Sequence, residues 1–217
     1  MGMTMSEKIL AAHAGLPSVK AGDTVTCRVD WTACHDMFFN VDGQDLYKDV
    51  THLDYPDKCV VLLDHSVPAS TSRNALGAVY ARQFCKKHRI KEFIDVGDHA
   101  VIHQALVERG YAAPGRLLAA ADSHTCAAGA MNCAARGFGP ADITYLLCTG
   151  ETWYQAAPTI LYRLHGALPA GCTGKDLFLY MAGEYGDVTG CTIEFGGDGV
   201  ANLTIPQRQS IATMCAE

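Results

Sequence analysis

From residue 59 to residue 158 short apolar runs alternate with stretches of helical periodicity, and this alternation most narrows the folds open to the chain. The runs at 59–63, 92–96 and 117–121 are short, largely apolar and closed by polar residues, as buried strands are. Between them, 70–88 places Ala75, Val79, Phe84 and Cys85 at helical spacings, and 101–109 is helical too. Helices are also expected at 127–136 and 141–157, separated by Gly137 and Gly139-Pro140. Strands that alternate with helices build a parallel, doubly wound sheet, so an α/β fold with three α/β/α layers is expected. Outside this stretch, 5–14 reads as a short amphipathic helix. Residues 21–30 read as a strand with Val25, Cys27 and Val29 on one face. Further strands are expected at 160–164, 192–195 and 200–203, a loop and helix at 171–184, and a helix over 207–217 that breaks off uncapped. These predict a first α/β domain over 1–165 and the start of a second, incomplete one over 166–217.

In open α/β sheets ligands bind beyond the carboxyl ends of the strands. Three successive strand ends here deliver acid or imidazole groups. The first gives Asp64-His65, the second leads through Asp98-His99 to His103, and the third gives Asp122, Ser123 and His124. A carboxylate partner fixes a histidine's tautomer and stabilises its imidazolium, which suits general acid–base work. One such histidine alone reads as a cap or a solvated side chain. Three placed alike point to a polar edge suited to proton transfer to and from a small hydroxy acid.

Other classes find less support. A composition of 49% apolar and 18% charged residues has no signature of disorder. No apolar run reaches the ~18 residues of a bilayer-spanning helix, and residues 1–20 lack the apolar core of a secretory signal. A net charge of −6 without basic blocks speaks against a nucleic-acid surface. Ten cysteines in no regular framework suggest a reducing, cytoplasmic setting. No metal site built from this chain is expected: His99 and His103 lack the intervening glutamate of a zinc helix, Cys85 and His88 read as a packed thiol beside a solvated face, and Cys-x-x-Cys is absent. Ser123 lacks a nucleophile elbow. The glycines at 137, 139, 196, 197 and 199 read as turns, and Trp153 and Tyr154 as helix-packing residues.

The chain resembles the N-terminal half of aconitase-superfamily proteins, with the pattern of the 3-isopropylmalate dehydratase large subunit and its homoaconitase-like relatives. The resemblance rests on LDHSVPAS at 63–70, VIHQALVERG at 101–110, AADSHTCAAGA at 120–130 and GFGPADITYLLCTGETW at 137–153, and it continues through IEFGGDGV at 193–200 to the last residue. It implies an aconitase-like fold and a hydro-lyase acting on a malate- or citrate-like 2-hydroxy acid. It also implies catalytic roles for Asp64, His65, His103, Asp122, His124 and Glu217. Asp64 and His65 match a pair that helps protonate the departing hydroxyl. His103 pairs with Asp122, and His124 with Glu217. His35 and Ser123 match substrate-side positions. Such proteins use one open iron of a [4Fe–4S] cluster as a Lewis acid. Its cysteines lie in a later half, and the serine base and substrate-binding arginines come from later segments or a small swivelling subunit. None of the cluster motifs occurs in this chain. HDMFFNVDG stands where relatives carry an HDGTGP-like stretch, and His99-Ala100 where glycine is usual.

Three functions therefore compete: an iron–sulfur-assisted dehydratase portion that needs a cluster-binding half and a small subunit, a non-catalytic scaffold that has lost the chemistry, and an enzyme with a mononuclear metal at the His65/His103/His124 edge.

Overall fold

The computed structural model describes residues 2–217. Helix α1 (Met5–Ala14) leads to strands β1 (Thr24–Arg28) and β2 (Trp31–His35), and the one-turn helix α2 (Gln44–Tyr47) follows. Then come β3 (Cys59–Leu62), α3 (Ser72–His88), β4 (Glu92–Ile94), α4 (Ile102–Glu108) and β5 (Leu117–Ala120). A 3-10 segment (Ser123–Met131) precedes β6 (Ala134–Gly137), α5 (Pro140–Thr149) and β7 (Glu151–Gln155). The last elements are β8 (Thr159–Arg163), α6 (Gly174–Tyr185), β9 (Thr192–Gly196) and α7 (Ile205–Met214).

Five strands form a parallel sheet in the order β4-β3-β2-β5-β6. The central strands are buried on both faces, which explains why they read as continuous apolar runs. Their side chains still alternate between two cores. Cys34, Val61, Leu63, Leu117 and Ala119 face a cluster that includes Phe84 of α3 and Leu146 of α5. Ala33, Val60, Leu62, Leu118 and Ala120 face one that includes Ile102 and Leu106 of α4. The architecture is the expected three-layer α/β/α arrangement.

Several expected elements differ. β2, the middle of the sheet, had no strand signal: Trp-Thr-Ala-Cys-His does not alternate, and alanine and cysteine carry little strand preference. The helix expected at 127–136 is the 3-10 segment followed by β6. Asn132, at φ 55°, ends the turn, and pairing with β5 makes the next residues a strand. The helix expected at 141–157 stops at Gly150, whose positive φ caps α5 with a bond to the Leu146 carbonyl. Trp153 and Tyr154 lie on β7, which pairs antiparallel with β1, and not on a helix. Residues 198–202 form a 3-10 turn where a strand was expected at 200–203. β8 pairs with β9 alone, in a two-stranded sheet separate from the five-stranded one.

Two connections position the polar edge. Helix α7 starts with a Thr204–Gln207 capping box and a proline in its first turn. It lies along Ser123–Met131, with Ala212 beside Gly129. Cys126 Sγ donates to the Thr213 carbonyl at 3.8 Å, which fixes the end of α7 beside the segment. No helix among the described residues is long and apolar enough to cross a membrane.

Candidate active site

The strand order sets the site. β3, β2 and β5 are neighbours, so the residues at or just beyond their carboxyl ends, Asp64-His65, His35-Asp36 and Asp122, meet at one edge. Helix α4 adds His103 from its first turn.

Asp122 is the hub. Its Oδ1 accepts from His103 Nε2 at 2.9 Å and from the His124 backbone N–H at 2.7 Å. Its Oδ2 lies 3.1 Å from His65 Nε2 and 4.0 Å from His35 Nε2. The His103 hydrogen bond holds the Asp122 carboxyl well below the usual carboxylate range, against an upward push from burial; the His124 N–H and the fields of His103 and His35 act the same way as the bond.

His65 lies between two carboxylates. Nδ1 bonds Asp64 Oδ1, and Nε2 faces Asp122. Burial pulls its pKa down, but the Asp64 bond and the fields of Asp64, Asp122 and Asp36 outweigh this, and the net shift is upward. An imidazole with an acceptor at each nitrogen is best matched by its doubly protonated form. Asp64 also acts through its other oxygen: Oδ2 accepts the Ile102 N–H at 2.7 Å, capping the start of α4 and so placing His103.

His35 was expected at the substrate. Its Nε2–H donates to the Ala121 carbonyl at 2.7 Å, and its Nδ1 accepts the Met37 N–H at 3.2 Å. With both nitrogens bound to backbone, the buried ring offers its face, which stacks on His65 at 3.9 Å between centroids. Burial lowers its pKa, with the nearby His65 charge adding to the effect. His35 thus backs the ring of His65 with its own face.

His124 and Glu217 meet at 2.9 Å, Nε2 to Oε1, and Ser123 Oγ lies 3.1 Å from His124 Nδ1. Asp98 and His99 turn away: Asp98 pairs with Arg109, and His99 accepts the Gly97 N–H. The two phenylalanines of HDMFFN point elsewhere, since Phe38 and Phe39 pack with Tyr47, and Phe39 also with Phe84, in the core.

Sequence reasoning missed Asp36. Only 3% exposed, it accepts the N–H groups of Asp64, His65 and Ser66 at 3.0, 3.0 and 2.9 Å. Bonds to a charged group contribute roughly 1.5–3 kcal/mol each, which offsets burying the carboxylate. Adjacency to His35 was the one local signal. The contacts themselves join the ends of two strands far apart in sequence.

The residues present do not fit an iron–sulfur cluster. Two groups of acid and imidazole atoms converge within 4.8 Å, His35/Asp36/Asp64/His65 and His103/Asp122/His124, and neither contains a cysteine among the described residues. Burial pushes the thiol of Cys126, in the segment after Asp122, up to about 11 and that of Cys215 up to about 12, against the thiolate a cluster needs. The carboxylate oxygens of Asp36 and Asp122 that a cation would need already accept backbone or imidazole donors.

The chain matches the Aconitase family (aconitate hydratase) over residues 7–217. It is 47% identical over 217 residues to the 3-isopropylmalate dehydratase large subunit of Mycolicibacterium smegmatis, with all of this chain and 50% of that protein covered. The proteins of the same name from Aquifex aeolicus and Moorella thermoacetica are 38% and 37% identical over 221 residues, again over all of this chain and 51% and 52% of theirs. The chain thus spans about half the length of these relatives. With the parallel sheet, the polar edge and a match along nearly its whole length, the chain belongs to the aconitase family.

Proposed function

We infer that this chain is the acid–base half of a hydro-lyase of the 3-isopropylmalate dehydratase type, which removes water from a malate-like 2-hydroxy acid and returns it at the neighbouring carbon. The observation that carries this is the sharing of Asp122 between the His65 and His103 imidazoles at 3.1 and 2.9 Å. Breaking the C–O bond needs a proton on the departing oxygen, which leaves as water. His65, flanked by Asp64 and Asp122, holds that proton. His103 shares the Asp122 carboxylate, so charge displaced at His65 is felt at a second imidazole through one bridging group. His124, backed by Glu217 and Ser123, supplies a further imidazole at the rim of the same edge.

The cluster that the resemblance implies finds no cysteine at this edge among the described residues, so it is assigned to the remaining half of a protein as long as its relatives. The base that takes the carbon-bound proton and the cations that hold the substrate carboxylates are assigned there too, or to a small subunit. The names of the relatives as large subunits support such a partner.

The test joins this chain to the coding sequence that adjoins it and to a candidate small subunit, reconstitutes the product anaerobically, and follows the double bond formed from 3-isopropylmalate by ultraviolet absorbance. Turnover in His65→Asn is expected to fall about 10²- to 10⁴-fold. If the adjoining sequence and partner hold no three-cysteine motif, or the wild-type assembly dehydrates no 2-hydroxy acid, the inference fails.

A further inference from the structure

We propose that Asp36 is the positioning residue for His65, resting on the hydro-lyase reading of the same edge. Both oxygens of Asp36 accept from the backbone of residues 64–66, Oδ1 from Asp64 and His65 and Oδ2 from Ser66. These three bonds set where the chain turns after β3, and that turn carries both Asp64 and His65. Asp64 in turn bonds His65 and caps α4. One buried carboxylate at the end of β2 therefore fixes two members of the site, and through the cap it bears on a third, His103.

The surroundings hold Asp36 still. The preceding residue, His35, is pinned by the Ala121 carbonyl and the Met37 N–H, and its ring stacks on His65. Helix α3 presses from the other side at Gly77, where an added Cβ would lie 3.0 Å from the Asp36 carbonyl oxygen. The turn at 64–66 is thus attached to a fixed point, and a histidine that must meet Asp122 at hydrogen-bonding range gains its geometry from that attachment. Errors of about 1 Å in such positions cost on the order of 100-fold in rate.

Asp36→Asn is the direct probe, because the amide has the same shape but replaces one acceptor with a donor facing backbone N–H groups. In the reconstituted full assembly, kcat is expected to fall about 10- to 100-fold with KM nearly unchanged. In a His65→Asn background the same substitution is expected to cost no more than about 2-fold, since Asp36 acts through His65. Losses that simply multiply, or a normal kcat in Asp36→Asn, overturn the proposal. A second measurement does not depend on turnover. In the chain itself, the amide protons of residues 64–66 are expected to lose exchange protection selectively in Asp36→Asn, while those of β5 keep theirs. Protection that is unchanged overturns the proposal even if no hydro-lyase activity is found, so its failure and that of the functional reading remain separable. If Asp36→Asn does not fold, Asp36→Glu keeps the charge but moves it by one methylene. It is expected to show the same amide changes and the same dependence on His65, and wild-type kcat with displaced amides overturns the proposal.

Discussion

Asp122 is a carboxylate surrounded by four imidazoles, and its charge is what makes their geometry consistent. Removing that charge leaves the shape almost intact. Asp122→Asn would keep an oxygen for one partner but put an amide N–H against another, either the His124 backbone N–H and His103 on Oδ1, or His65 on Oδ2. His65 would also lose part of the field that raises its pKa. In the reconstituted assembly, Asp122→Asn is expected to lower kcat by about 10²–10⁴-fold, the usual worth of a placed acid–base group. A comparable kcat with unchanged melting temperature would instead favour a scaffold that has kept its sheet and lost its chemistry. The same residue shows how far a local reading reaches. Asp64-His65 could be found because that pairing sits within one strand end, and Asp122 and His124 because they stand together at another. Asp36 could not, because its partners belong to a neighbouring strand.

At the level of elements, β6 supports β5 through a glycine. A Cβ on Gly137 would fall 2.2 Å from the Asp122 carbonyl oxygen and 3.0 Å from the Ser123 Cα, both backbone atoms that cannot swing away. Gly137→Ala should therefore displace Asp122 itself. It is expected to destabilise the fold by about 1–3 kcal/mol, as overpacking does, and to lower kcat more than KM changes. Thermal unfolding with steady-state kinetics checks both, and a variant with wild-type values of each would show that the edge tolerates the shift. Elements also explain what the sequence could and could not disclose. β3, β4 and β5 were legible because buried parallel strands are plain apolar runs between helices. β2 was not, since Trp31–His35 has neither alternation nor β-branched enrichment. β6 and β7 were hidden inside Ala/Gly-rich and amphipathic stretches whose helical periodicity lost to strand pairing. The three strand-end pairs were expected to share one edge; Asp64-His65 and Asp122 meet there across the missed β2, whereas Asp98-His99 turns away.

At the scale of the whole molecule, charge decides what the edge can hold and when. The protein carries a net charge of −6, and Asp36, Asp64, Asp122 and Glu217 all lie at the edge. The imidazoles are the only cationic groups bonded to these carboxylates among the described residues. The two stacked rings respond to pH in opposite directions. His65 has a raised pKa in the folded state, so its contribution to stability is fully present below the unfolded value of about 6.5 and is lost as pH rises through the folded value. His35 has a lowered pKa, so its contribution is present above about 6.5 and is lost as pH falls toward the folded value. The pair therefore favours folding most near the point where one ring is charged and the other neutral. His13, raised chiefly by its bond to Asp30, adds to the alkaline limb, so replacing His65 removes only part of it. The stability difference between wild type and His65→Asn is expected to shrink as the pH rises from about 6.5 to about 8. Urea unfolding followed by circular dichroism across that range measures the difference directly. One that stayed constant, or grew, would show that His65 is not held as an imidazolium between Asp64 and Asp122, and the proton assigned to the departing hydroxyl would have to be stored elsewhere.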